Sequence, residues 1–385
     1  MSDTDANGIS DRIQDVHLLY GFIAETQFAS PGSDVILWTD GNGDGGIWTG
    51  SYLAAEAFRY KVTGSPTARA YLRRALESVR AISVVAESGF LARTIFPLDS
   101  PFIDHLIDAE ERLGLFPTTY NGKDSYWVGH PTRDQYSGVL LGLGATYDLV
   151  DDDEVRTICR DIITHLVGAL LRHGWVMGNP DQPVQETYLY RPDHLLSVLQ
   201  LAKHVNPSDF GSIYDTTRVF LSLLAGLPSA LEIRDLHGSY YKFNLDYSYY
   251  YNLIRLEDDS HYRARYLKQF AKLRNASRTH GNAQFNMIDR ALNGPDPVRD
   301  QETSELLDAL LARGFRNTFV DLNGTYPACG EDRACDPIPV AERPYADFLW
   351  QRSPFEMRCD GDGSLESAGI DYILPYWMAR YYGVL

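Results

Sequence analysis

The chain has 385 residues, 44% of them hydrophobic, enough to bury a large core and too many for global disorder. Lys and Arg number 35 against 52 Asp and Glu, a net charge of −17, which argues against nucleic acid and anionic membrane surfaces as partners because both need basic faces. No run of about 18 apolar residues marks a membrane span, and the polar start MSDTDANGIS is not a secretory signal.

Read for period, the sequence predicts helices almost throughout and very little strand. The first is a long amphipathic helix over 10–29, followed by a shorter, less charged one over 47–61. The same contrast then repeats. Charged amphipathic helices are predicted over 66–88, 151–173, 208–226, 259–278 and 296–314. Between them come helices rich in Gly, Ala and Tyr over 133–149, 190–205, 246–258, 281–293 and 368–383. A helix with charges on one side meets water there; one with small residues and few charges is surrounded. The two kinds alternate strictly.

The connections alternate too. From an inner helix to the next outer one they are short, with Gly, Pro or an Asp/Ser cap, as in VTGSP (62–66) and NGPD (293–296). From outer to inner they are mostly long: 30–46, 89–132, 174–189, 227–245 and 315–367. The fold class read from this rhythm is all-α, an (α/α)6 toroid of six helical hairpins. It is a single domain over 1–385, with the long loops gathered at one end. Loops of this length are usually functional. They converge on the N-terminal ends of the inner helices, where unpaired N–H groups and the positive dipole end lie.

Each converging loop carries chemistry-bearing residues. The first, DGNGDGGIWTGSY (40–52), has Asp40, Asn42 and Asp44 at positions 1, 3 and 5 of a calcium-like loop, and Trp48 as a ring. Position 12 is Ser51 and not the usual Glu, and VILWTD before it looks extended. A substrate loop, a calcium site and a capped turn all remain open for it. Calcium is the one cofactor suggested; CDGDGSLES near 359–367 is a weaker second copy. The next loop ends GHPTRDQYSG, with His130, Asp134 and Tyr136, where Asp134 could also be only a helix cap. QETYLYRPDHLL gives Glu186, Arg191 and His194. LHGSYYKFNLDYSYYYN gives His237, Tyr240, Asn244, Asp246 and Tyr247. RTHGNAQFN gives His280, and the last loop gives Trp350, Arg352, Glu366 and Asp371. Taken one by one, these residues are more often structural; their shared placement at one rim is what points to a site.

The architecture, with loop segments such as DGGIWTGSY and DFLWQRSPF, resembles the (α/α)6-toroid carbohydrate-active enzymes, a class of glycoside hydrolases and polysaccharide lyases. The resemblance covers the whole chain at the level of architecture and transfers no residue role by motif. It implies a carbohydrate partner. A hydrolase needs paired carboxylates, for which Asp44, Asp134 and Asp246 are the candidates. A lyase needs a Tyr or His base beside groups that neutralise a uronate, for which Tyr247, His237, Asn244, Arg191 and His280 would serve. A hydrolase is the first expectation, a lyase the second and a non-catalytic sugar binder the third. Asp40, Trp48, His130, Tyr136, Glu186, Tyr240, Trp350, Arg352 and Asp371 would line the substrate cleft. Cys329 and Cys335 either close a small disulfide loop or stay free; a closed loop would suit a secreted or periplasmic mature form. Oligomeric state is open from sequence.

Overall fold

Capping signals and apolar spacing set the helices where they form. The computed structural model describes residues 1–238, 240–329, 335–346 and 352–385. In chain order the α-helices are α1 (Asp3–Arg12), α2 (Gly45–Thr63), α3 (Pro66–Val84), α4 (Ile103–Glu110), α5 (Arg133–Leu149), α6 (Asp153–Arg172) and α7 (Pro192–Val205). Then follow α8 (Pro207–Leu221), α9 (Leu227–Glu232), α10 (Tyr241–Arg255), α11 (Ser260–Ser277), α12 (Ala283–Asn293), α13 (Pro297–Arg313) and α14 (Ile370–Tyr381). Ser65, Asp152, Asp259 and Asp296 accept N–H bonds at the starts of α3, α6, α11 and α13, and Pro66 and Pro297 occupy first-turn positions. These are the short, capped connections that the sequence marks.

The contrast between the two kinds of helix is present in the burial. Nearly every residue of α2, α5 and α10 is buried, whereas α3, α6 and α11 bury one stripe each. Helix α2 packs on α5 and α14; α7 packs on α5 and α10; α12 packs on α10 and α14. Helices α3, α6, α8, α11 and α13 lie against α2, α5, α7, α10 and α12 respectively.

The α2–α5 contact is backbone on backbone. A Cβ on Gly138 would stand 2.1 Å from the Ile47 carbonyl oxygen, and one on Gly50 would stand 2.3 Å from the Gly138 carbonyl. Neither obstacle is a side chain that could turn aside. Gly138→Ala is therefore expected to cost about 3 kcal/mol, the upper range for overpacking and more than the helix propensity gained. A urea titration checks this; an unchanged midpoint would show that the helices can part.

Two expectations fail here. The first helix does not run over 10–29. After α1 the chain makes a π-helical turn (Ile13–His17), bends at Gly21 (φ 91°) and enters strand β1 (Glu25–Phe28). The fold is also not all-α, because the long links carry small antiparallel sheets. Strand β1 lies between β2 (Ile36–Asp40) and a strand over Arg358–Glu366, which itself pairs with Arg316–Asp321. The weaker calcium-like segment, CDGDGSLES, is thus ladder strand for most of its length. In the 89–132 link, Ile95–Pro97, Leu115–Tyr120 and Lys123–Val128 form a second sheet. Its hairpin turns on Asn121 (φ 50°) and Gly122 (φ 75°), the left-handed pair of a type I′ turn. Val176–Met177 and Glu186–Thr187 pair in the 174–189 link. Helices dominate, and the strands belong to the loops. Cys329 and Cys335 are disulfide-bonded, and Cys159 is a buried free thiol.

Candidate functional site

One accessible cluster joins three of the long links. Asp44 closes the turn Asn42–Asp44 and stands immediately before α2; its side chain is 38% exposed. Its Oδ1 accepts from Arg93 Nη1 at 3.0 Å and from Gln135 Nε2 at 3.0 Å. Arg93 uses every arm of its guanidinium: it also donates to the carbonyls of Gly43 (2.8 Å) and His130 (2.9 Å) and to Thr132 Oγ1 (3.0 Å). It therefore ties the 41–44 turn to the approach to α5. Gln135, fully buried, completes the tie by accepting from the Ile47 N–H at 2.9 Å.

Asp134 sits on the first turn of α5, half-buried. Its Oδ1 accepts from the Gln135 N–H at 2.9 Å and from the Thr132 hydroxyl. Thr132, not Asp134, is the residue at the cap position. Burial pushes the Asp134 carboxyl up; the Asp44 charge pushes the same way, and Arg93 opposes both. His130 stands in the left-handed region (φ 59°), half-buried, and burial together with Arg93 holds its imidazole below the usual value. Glu186 faces Arg133 at 3.3 Å, both about one quarter exposed at 25% and 24%. The cluster thus holds Asp44, Asp134, His130 and Glu186 from the expected set. It adds Arg93 and Gln135, which sequence reasoning missed. Asp44 and Asp134 are each hydrogen-bonded to Gln135 and sit in different surroundings: one against a buried guanidinium, the other inclined to hold its proton.

A second cluster is largely buried, with only Glu232 part-exposed. Arg191 donates to Asp193 Oδ1 (3.0 Å) and Oδ2 (2.8 Å), to Glu232 Oε1 (2.6 Å), and to Asp246. His194 Nε2 lies 2.9 Å from Asp246 Oδ1, and its ring stacks on Tyr249 at 3.9 Å. Asp246 is wholly buried, and burial drives its carboxyl well up, with Arg191 opposing and Glu232 and Asp193 adding to the rise. Burial and Arg191 keep His194 neutral. Asp193, His194 and Asp246 are the one group of His, Cys and acidic side chains among the described residues close enough to share a metal ion. The Arg191 guanidinium already supplies the positive charge there. Tyr249 connects the two clusters: its hydroxyl donates to the Arg133 carbonyl at 2.6 Å and lies 2.8 Å from the Tyr188 hydroxyl.

No family model, curated protein or solved structure matches the chain.

Several expected site residues stand elsewhere. Tyr247 is fully buried between α11 and α12: its hydroxyl lies 2.9 Å from Ser277 Oγ and its ring stacks on Phe285 at 3.9 Å. It is packing between helices and not an accessible base. Asp246 and Arg191 are enclosed in the charge cluster just described. Tyr136 is fully buried, its hydroxyl accepting from the Leu91 N–H at 3.1 Å. Trp48 belongs to the core, 3% exposed, and offers no face to a ligand. The ring that the first loop does present is Trp38, half-buried, whose Nε1 donates to Asp40 at 3.0 Å. Asp40 also meets His105 Nε2 at 2.9 Å. Asn42 bonds to Thr39, donating to its carbonyl and accepting from its hydroxyl. Asp40, Asn42 and Asp44 are thus each engaged with different protein partners, which disfavours the calcium reading of this loop.

Tyr240 lies 2.9 Å from His280 Nδ1, and His280 is 2% exposed with its imidazole pushed down to about 4 by burial, then by Arg343 and His237. His237 packs on Phe355 at 3.9 Å. Asn244 and Asp371 are buried in the first turns of α10 and α14. Arg352 lies over the Tyr345 ring at 4.4 Å. Glu366 is bound by Arg12, Arg316 and His17, which hold its carboxyl far below the usual range against burial, so it serves the fold. Trp350 lies outside the described residues.

Proposed function

We propose that the chain is a carbohydrate-active hydrolase on an (α/α)6 toroid, with Asp134 as general acid and Asp44 as the partner carboxylate. The toroid reading rests on the order of helix contacts. From α14 to α2, α5, α7, α10 and α12, each inner helix touches the next, and α12 touches α14 again, although α5 also packs directly on α10, more extensively than on α7. Each has an outer partner, with α1 against α14 as the sixth pair.

The observation that carries the chemistry is the difference between two neighbouring carboxyls. Glycoside hydrolysis needs one that keeps a proton for the leaving oxygen and one that stays ionised to activate water or attack the anomeric carbon. Burial inclines Asp134 to the first role. Asp44, held through one oxygen by Arg93 and Gln135 and open to solvent, is the carboxylate placed to meet a water or the substrate. Trp38 beside Asp40 would supply a ring face for a sugar.

The lyase set fits less well. Tyr247 is buried between helices, Arg191 is committed to three carboxylates, and Asn244 and His280 are enclosed. The test is a panel of neutral and uronate oligosaccharides, followed by reducing ends and by absorbance of an unsaturated product. Reducing ends without new absorbance are expected. Both signals together would replace hydrolysis by elimination, and binding without either would leave a sugar-binding protein.

A further inference from the structure

The segment 219–231, VFLSLLAGLPSAL, contains no charged residue in a chain that is 23% charged. It covers the end of α8, a turn and most of α9. Six of its large apolar side chains face solvent: Val219 (49% exposed), Phe220 (70%), Leu223 (65%), Leu224 (46%), Leu227 (56%) and Leu231 (60%). Val219 and Phe220 end α8, Leu223 and Leu224 stand in the turn, and Leu227 and Leu231 lie on α9. The turn itself is fastened down. Ser222 accepts at its hydroxyl from Arg265 (2.6 Å) and at its carbonyl from Gln269 (2.8 Å); the Ala225 carbonyl accepts from the Tyr250 hydroxyl (2.9 Å). Glu232, the first charge after the segment, is held by Arg191. The apolar surface is therefore preorganised, and little ordering cost would attend its burial.

From its exposures the patch amounts to roughly 600 Å² of side chain, at the top of what a monomer ordinarily shows. Homodimer interfaces are about 65% apolar, so one centred here would bury about 900 Å² per copy, above the roughly 800 Å² per partner of standard stable complexes. A net charge of −17 opposes self-association over most of the surface. A segment of thirteen residues without a charge is where that repulsion is weakest. The same charge disfavours an anionic membrane as the occupant.

We propose that residues 219–231 form the interface of a two-fold homodimer, the patch of one copy covering that of the other. This does not depend on the reaction proposed above. Light scattering during gel filtration at micromolar concentration is expected to give twice the chain mass. The double variant Phe220→Glu/Leu223→Glu should give the monomer mass, with the dissociation constant raised at least about a hundred-fold. Both positions are exposed, so the circular dichroism of the variant should match the parent. Val298→Glu, at another exposed apolar position on α13 (74% exposed), should leave the dimer intact. A monomeric parent, a double variant that stays dimeric, or dissociation by Val298→Glu would each overturn the proposal. So would a monomeric parent that floats with uncharged phosphatidylcholine vesicles, which would make lipid the occupant.

Discussion

Asp134→Asn is expected to lower kcat on the best oligosaccharide by about a thousand-fold, some 4 kcal/mol of barrier, while leaving the fold in place. The amide keeps the carboxyl's shape and can still accept from Gln135 and Thr132, but it cannot deliver a proton. Because burial raises the Asp134 carboxyl, its ionised form is disfavoured in the folded chain. Removing the charge should therefore not reduce stability at neutral pH, which separates a lost acid from a lost structural contact. The pH profile follows by sign. The acid must be protonated, so activity falls as pH rises through the Asp134 value, above that of an ordinary aspartate. The Asp44 charge contributes to that rise. Whatever activity survives in Asp44→Asn should lose its alkaline limb at lower pH than the parent. A limb that stays put, or full activity in Asp134→Asn, would remove the acid assignment.

The second large effect falls on stability. Arg191→Leu would leave Asp193, Asp246 and part-buried Glu232 crowded without their one guanidinium. Removing one partner of a buried ion pair typically costs 3–5 kcal/mol, and about 4 kcal/mol is expected here. Arg191 draws the Asp246 carboxyl down against burial, so its loss lets that carboxyl rise further. A carboxyl raised in the folded state destabilises as pH climbs above its unfolded value. The deficit should thus be small in acid, where both states are protonated, and should grow toward neutral pH. Adding Asp246→Asn should recover part of it. Denaturant titrations at several pH values decide this; a deficit independent of pH would mean that lost packing, and not charge, explains the cost.

These two clusters show what the sequence makes legible. The alternation of charged and less charged helices fixes which helices are surrounded, because α2 and α5 carry Gly and Ala and α10 carries Tyr where α3, α6 and α11 carry Arg. Loop residues grouped at helix starts point to Asp44, His130, Asp134 and Glu186, which do meet. Direction is less legible. Tyr247 and Asp246 are neighbours in sequence, yet one side chain turns to α11 and the other to Arg191. The sequence points to Trp48 as the ring of the first loop, but helix packing buries it and leaves Trp38 half-exposed instead. Arg93 sits among apolar residues in GFLARTIF and bears no loop motif, so its role emerges only when two distant loops close round it. The strands had local signals that helical periodicity overrode. TTYNGKDSYWV carries Asn-Gly between β-forming runs, a hairpin signature, and Gly21 interrupts the helix pattern of 10–29.

Cleavage in ¹⁸O-labelled water tests the central claim most directly. If Asp44 and Asp134 together hydrolyse a glycosidic bond, each cut made by the parent chain places one labelled oxygen in the products, and Asp134→Asn releases almost none. Unlabelled, unsaturated fragments, or cutting that continues undiminished in the Asp134 variant, would contradict it.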